Sequence, residues 1–298
     1  MGRCATVFQK DGSWLLKAAL SHCKSCPFVL QKLPFYTPER LRLENHSHAL
    51  SWQLLKDRRT TAHSKRKEMR KIGIIVAMDK EFRQLEGLLE APVTEEFNHK
   101  TFVSGQAFGN EIILMQCGIG KVNSAIGAVE MIDNYHPDLV VSSGVAGGAS
   151  TALNVTEVVV GTEYAYHDAY CGSECEYGQV MGMPPKFHSP AQLVADALAI
   201  RSETPIHAGL IVSGEWFVDS REKMVQILNN FPEALAVDME SCSIAQVCHI
   251  YHTPFISFRI ISDVPLKDNK AAQYYDFWER MAQGSFNVTK QFLERLAL

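Results

Sequence analysis

The chain has 298 residues, 46% hydrophobic and 21% charged, the balance of an ordinary globular protein. No apolar run approaches the ~20 residues that span a bilayer, and a formal net charge of −4 gives no reason to expect nucleic acid or a membrane surface as partner. That charge is unevenly spread: residues 1–68 hold 13 Lys and Arg against 5 Asp and Glu, whereas residues 69–298 hold 16 against 28.

Residues 1–68 show no sustained hydrophobic period, and their apolar residues (Phe28, Leu30, Phe35, Tyr36) are scattered. Cys23-Lys-Ser-Cys26 beside His22 is a CxxC pair, but one such pair without a second ligand pair does not make a zinc site. The segment is expected to be a basic, disordered N-terminal extension; it lacks the clean amphipathic pattern of a transit peptide. Met69 opens Met-Arg-Lys-Ile-Gly-Ile-Ile, the form of a natural start, so residues 69–298 are expected to be the folded domain. Eight cysteines occur, and Cys117, Cys242 and Cys248 lie in apolar contexts expected to be buried. With no recognisable signal peptide in a chain of this size, a disulfide framework is not expected and a reducing cytoplasm fits. The Asn-X-Ser/Thr triplets at Asn45, Asn154 and Asn287 would matter only in a secreted protein.

From Met69 onward the pattern becomes regular. Residues 71–78 form a strand-like run and 79–89 an amphipathic helix with apolar Phe82, Leu85, Leu88 and Leu89. A strand over 111–117 leads through Gly118-Ile-Gly-Lys121 into a helix over 122–135, closed by Pro137. Strands are expected over 138–143, 155–163, 209–212, 235–237 and 255–261, with helices near 221–230 and 241–251 and a last one over 275–296. Val- and Ile-rich strands alternating with helices predict an α/β fold with a mostly parallel, buried sheet. Ligands of such sheets bind at the carboxyl ends of the strands. The residues there are Ala77, Met78 and Glu81; Gly118 to Gly120; Gly144 to Gly148; Ser213 to Val218; Asp238 to Glu240; and Ser262-Asp263.

Three of these are acids. Any one of Glu81, Glu240 and Asp263 could serve only the first turn of a helix. As a set they suit cleavage of a glycosidic bond, which needs separate acid and base carboxylates. Gly118-Ile-Gly-Lys121 lacks the phosphate-loop spacing, and Asn123 stands where a dinucleotide fingerprint has its third glycine, so a tight turn is the better reading. Ser143-Gly-Val-Ala-Gly-Gly148 is expected as a second small-residue loop, either open to a ligand or a plain turn. His167-Asp168 and His249 lack matching ligand partners, so no metal is expected, and no GxSxG elbow is present. Trp216-Phe217 beside Glu215 could stack a purine or belong to the core.

Taken together, residues 69–298 resemble the 5′-methylthioadenosine/S-adenosylhomocysteine nucleosidases of the purine nucleoside phosphorylase superfamily. The motifs that carry the likeness are Lys-Ile-Gly-Ile-Ile-x-Ala-Met (71–78), Gly-Ile-Gly-Lys-Val (118–122), Ala-Gly-Gly (146–148), Tyr-His-Asp-Ala (166–169), Glu-Tyr-Gly-Gln (176–179), Leu-Ile-Val-Ser-Gly (210–214), Val-Asp-Met-Glu (237–240) and Ile-Ser-Asp-Val (261–264). The resemblance implies a three-layer fold, with a mixed, twisted, mostly parallel central sheet between helices, and hydrolysis that releases adenine and a 5-substituted ribose without a cofactor. It implies Asp263 as general acid toward purine N7 and Glu81 as general base toward water. Glu240 would hold the ribose hydroxyls, Met239 would pack on the sugar, and Phe217 would stack on adenine with the Val218 backbone at its edge. Ala77, Met78, Ala146, Gly147, Arg259 and Ser262 would complete the pocket, and Tyr274 would add an aromatic wall. A homodimer and a place in methionine salvage and methyl-cycle recycling are implied as well.

The chain departs from the family at three places. Val145 stands where Ser or Thr is common, Asp238 where Glu is common, and residues 170–175 are shorter than usual without the expected aromatic. The last change bears on which 5′ substituent is preferred. Rival readings are a phosphorylase, for which Arg259 is the only obvious phosphate-binding arginine, a futalosine-type hydrolase, and a storage or binding protein without catalysis, in which the acids would be lost.

Overall fold

The computed structural model describes residues 69–267, Phe277 and 286–296. The expected extension, its Cys23/Cys26 pair, and Tyr274 lie outside the described residues.

In chain order the elements are β1 (Lys71–Val76), α1 (Asp79–Glu86), β2 (Glu90–Phe97), β3 (Lys100–Ala107), β4 (Asn110–Gln116), α2 (Lys121–Tyr135), β5 (Leu139–Gly148), β6 (Val158–Tyr166), β7 (Phe187–His188), α3 (Ala191–Leu198), β8 (Ile206–Ser213), α4 (Arg221–Leu228), β9 (Ala234–Asp238), α5 (Ser241–Tyr251), β10 (Phe255–Asp263) and α6 (Asn287–Leu296). The strands make one mixed sheet. β4, β1, β5 and β10 run parallel as neighbours, and so do β6, β8 and β9. The two groups join through antiparallel contacts of β10 with β6 and of β5 with β9. β5 can do this because it is long: its first half lies between β1 and β10, while Gly147 and Gly148 at its end pair with Val237 and Ala236. Five strands (β5, β10, β6, β8, β9) thereby close into a ring, which brings the carboxyl ends of β1, β5, β9 and β10 together.

Helices cover both faces. Phe82 and Leu85 of α1 share one apolar cluster with Phe292, Leu293 and Leu296 of α6. Ala128, Met131 and Ile132 of α2 pack with Cys242, Ile244, Ala245 and Cys248 of α5 on the other. The three cysteines expected in apolar contexts are buried free thiols.

Several local expectations change. Residues 143–148 are not a loop; they are the second half of β5. α1 ends at Glu86 rather than Leu89. β6 begins at Val158 and runs on to Tyr166, which puts His167 and Asp168 directly past a strand end. The β2–β3 hairpin and α3 have no counterpart in the sequence reading. β2 is almost wholly exposed and reads Glu-Ala-Pro-Val-Thr-Glu-Glu-Phe. Its apolar alternation is absent because it is an edge strand, and its acids and Pro92 guard that edge. The Asn98-His99 turn has both residues at positive φ (47° and 62°), as two-residue hairpin turns of the right twist require, yet without glycine to announce it.

Candidate active site

A cavity with ≈ 630 Å³ of empty space, part of it open solvent at the mouth, sits over the carboxyl ends of β1, β5, β9 and β10. It is lined by Ala77, Met78, Glu81, Ile119, Val145, Ala146, Gly147, Trp216, Phe217, Val218, Val237, Asp238, Met239, Glu240, Ser262 and Asp263. Eleven of the thirteen residues expected at the site are among them. Tyr274 falls outside the described residues, and Arg259 is not among the lining residues.

Glu81 is the third residue of α1, so the short turn after β1 lets its side chain fold back on the strand end. One carboxylate oxygen accepts from the amides of Ala77 (3.0 Å) and Met78 (2.9 Å), and the other from the Val145 amide (3.1 Å). It is 1% exposed. Burial raises its pKa, opposed by the Met78 amide, the positive charge of Arg259 and the other two amides. Val145, the first departure from the family pattern, thus still gives Glu81 its backbone.

Arg259 does not line the cavity. It lies on β10 with only 2% exposure, behind the wall, where its Nε donates to Asp238 Oδ2 at 2.6 Å and an Nη donates to Ser142 Oγ at 2.9 Å. The guanidinium is thus already paired with a carboxylate of the fold. Asp238 in turn accepts from the hydroxyls of Ser213 and Ser241 and from the amides of Ser241 and Glu240. This buried hub fixes the β9–α5 joint, and so fixes where Met239 and Glu240 point.

Glu240 Oε1 accepts from the Gly120 amide at 2.9 Å. Burial, reinforced by the neighbouring Asp238 charge and opposed by Arg259, pushes its pKa up to about 7. Asp263 ends β10, and its Oδ1 accepts from Ser262 Oγ at 2.7 Å. Ser262 Oγ also lies 3.2 Å from the Ala146 carbonyl. The opposite wall is the segment after β8, where Phe217 is 57% exposed, Val218 is buried, and Trp216 meets the His167 ring edge-on at 5.3 Å. Burial lowers the His167 pKa, so this ring is a neutral brace for Trp216.

Of the lining residues, Ile119 enters the sequence analysis only within the Gly118–Gly120 turn and Val237 only as part of its motif. Ile119 sits in the Gly118–Gly120 turn, whose glycines at φ 90° and 95° draw the eye away from the side chain between them. Val237 belongs to a motif whose acids attract all the attention. Among the described residues no group of three or more His, Cys, Asp or Glu could hold a metal ion, and no helix is long and apolar enough to cross a membrane. Chemically the cavity offers four carboxyl groups, two of them (Glu81 and Glu240) with raised affinity for a proton, and an aromatic wall. A group transfer between two separated carboxyls on a flat, aromatic-stacking ligand suits it.

Residues 71–294 match the model of the phosphorylase superfamily. Among curated proteins the chain is 37% identical over 229 residues to a 5′-methylthioadenosine/S-adenosylhomocysteine nucleosidase of Desulfotalea psychrophila, spanning 76% of this chain and 98% of that one. Among solved structures it is similar to the nucleosidase of the same name from S. pneumoniae bound to a transition-state inhibitor, MT-ImmA (TM-score 0.72, 32% identity, 76% of this chain and 99% of that one). It is also similar to the futalosine hydrolase of Helicobacter pylori strain 26695 (TM-score 0.70, 28% identity, 76% and 98%).

Proposed function

The chain belongs to the phosphorylase superfamily and, within it, to the 5′-methylthioadenosine/S-adenosylhomocysteine nucleosidases; from that premise we propose that it hydrolyses the N-glycosidic bond of these two nucleosides, and of 5′-deoxyadenosine, to adenine and a 5-substituted ribose. The observation that carries the reading is the single cavity shared by Glu81, Glu240 and Asp263 with Phe217 on its wall.

Each group has a task. Adenine stacks on Phe217, and Asp263 gives a proton to purine N7 as the C1′–N9 bond electrons pass to the base. The sugar becomes cationic, which the surrounding carboxylates favour. Glu240 holds the ribose hydroxyls and Met239 packs on the sugar. Glu81 takes a proton from water, whose oxygen bonds to C1′. The raised proton affinity of Glu81 suits a base that must accept a proton near neutral pH. Water rather than phosphate is the acceptor because no Arg or Lys lines the cavity among the described residues, and Arg259 is bound to Asp238.

A homodimer completes the site in this reading. Ile119 on the cavity wall, Val122 (70% exposed) and Ile126 recur along one face at the start of α2, and Phe217 is exposed at the mouth. An apolar stripe that begins in the cavity is supported as a surface that a second copy covers. The free thiols fit a reducing cytoplasm, and the products would feed methionine salvage and methyl-cycle recycling.

The test is to incubate purified protein with methylthioadenosine, adenosylhomocysteine, 5′-deoxyadenosine and aminofutalosine, with and without phosphate, following free base by chromatography. Adenine released from the first two without phosphate is the expected result. Phosphate-dependent release with a sugar phosphate product would make it a phosphorylase, preference for aminofutalosine a futalosine-type hydrolase, and no release a binding protein.

A further inference from the structure

Two consecutive amides in the turn before α2 hold two carboxylates from different parts of the chain. The Gly120 amide donates to Glu240 Oε1 at 2.9 Å, and the Lys121 amide donates to Glu215 Oε1 at 2.8 Å. α2 has no side-chain cap of its own and no acid in its first turn. Glu215, 94 residues downstream, therefore supplies the capping carboxylate that the helix lacks.

The bond belongs to a closed cycle. Glu215 returns its own amide to Asp168 Oδ2 at 2.8 Å, and both Asp168 oxygens lie 2.8 Å from Lys121 Nζ. Asp168 is the more buried member of that ion pair, its side chain 10% exposed against 26% for Lys121. Gly120 is required here: at φ +95° it is strained for any other residue, and a Cβ would stand 2.6 Å from Glu215 Oε2. Glu215 is immediately followed by Trp216, Phe217 and Val218, the aromatic wall of the cavity. The turn 118–121 is thus a jig. One amide sets the sugar-side carboxylate, and the next sets the root of the base-side wall.

We propose that Glu215 is a positioning residue for the base, holding Phe217 at a fixed distance from Glu240 through the Lys121 amide, with Asp168 and Lys121 locking the cycle. This rests on the nucleosidase reading, in which Phe217 stacks on adenine. Loss of the Glu215 carboxylate frees the wall without touching Glu81 or Asp263. Substrate and base affinity should fall while the chemical step on bound nucleoside persists.

The test is equilibrium binding of adenine by calorimetry, together with methylthioadenosine kinetics, in four proteins: wild type, Glu215→Ala, Phe217→Ala and the double variant. Glu215→Ala should raise the adenine Kd and the KM by on the order of 5- to 10-fold, the scale of a lost capping bond, with kcat within about twofold. In the Phe217→Ala background the same change should have almost no further effect, because the wall it positions is gone. Glu215→Gln keeps an acceptor for the Lys121 amide and should restore most of the affinity; Asp168→Asn breaks the ion pair and should weaken adenine in the same direction. Additive losses in the double variant, or an unchanged adenine Kd in folded Glu215→Ala, would overturn the proposal. If Glu215→Ala does not fold, an unchanged Kd in Asp168→Asn overturns it instead. A wild type that neither binds adenine nor cleaves methylthioadenosine would instead remove the nucleosidase reading on which it stands.

Discussion

Asp238 Oδ2 and Arg259 Nε lie 2.6 Å apart, with their side chains 1% and 3% exposed. Asp238 lines the cavity and Arg259 does not; the pair ties β9 to β10, the strands that lead to Glu240 and Asp263. Removing one member leaves the other charge buried without its partner. Asp238→Ala should therefore lower stability by roughly 3–5 kcal/mol, while Asp238→Asn, which keeps an acceptor for the two serine hydroxyls, should cost less. Urea unfolding of the two variants checks this; equal midpoints would mean that the acceptor kept by Asn adds nothing once the charge is gone.

The proton-transfer roles proposed for Glu81 and Asp263 can be tested apart. Glu81→Gln keeps an oxygen for the amides of Ala77, Met78 and Val145 but cannot take a proton from water. Asp263→Asn keeps an acceptor for Ser262 Oγ but cannot deliver one to the base. Each should lower kcat for methylthioadenosine by at least ~100-fold with the fold intact by circular dichroism. A folded variant with near-normal turnover would strip that residue of its role.

Glu81 and Asp263 were legible as strand-end carboxylates because each follows a strand of buried aliphatics. Ile-Gly-Ile-Ile-Val before Glu81 and Phe-Arg-Ile-Ile-Ser before Asp263 announce strand ends, and strand ends in α/β sheets are where ligands sit. The likeness to known nucleosidases then divided the labour among them. What the sequence could not display was how a strand changes neighbours. Residues 143–148 carry small side chains that suggest a loop, but they are the half of β5 that runs on beside β10 and, at Gly147 and Gly148, also reaches β9. Arg259 was misplaced for a related reason. A cation four residues from a strand end looks like pocket lining, and only the contact with Asp238 reveals that its charge is paired inside the fold. Nor could local pattern reveal that Glu215 caps a helix 94 residues away.

Glu240 gives stability a pH dependence of definite sign. Its folded pKa of about 7 exceeds the roughly 4.3 of a free glutamate side chain. Between these values the folded chain keeps a proton that the unfolded chain has lost, so stability falls as pH rises through that window and levels off above about 7. The change attributable to this group is up to ~3 kcal/mol. Glu240→Gln has no such proton to lose, so the variant should gain on the wild type as pH is raised from 5 to 8. Parallel unfolding curves at the two pH values for both proteins would refute the assignment.

Gly144 tests how tightly Glu81, the proposed base, must be held. It is buried in β5 beside Glu81, and an added Cβ would stand 2.9 Å from Glu81 Oε1 and 3.4 Å from an Arg259 Nη. Neither neighbour is free to retreat. Glu81 is pinned by three amides, one of them on the adjoining Val145, and Arg259 is pinned by Asp238 and Ser142. Gly144→Ala must therefore push the Glu81 carboxylate along the cavity by a fraction of an ångström. Displacements of that order in a reacting geometry can lower rates by ~10- to 100-fold. The base-stacking wall and Asp263 lie elsewhere on the cavity, so adenine affinity should stay within about twofold while kcat falls. Steady-state kinetics and adenine calorimetry on the same preparation separate the two. If both constants moved together, the methyl would be disturbing the whole cavity; if neither moved, Glu81 would have more room than its three amides allow.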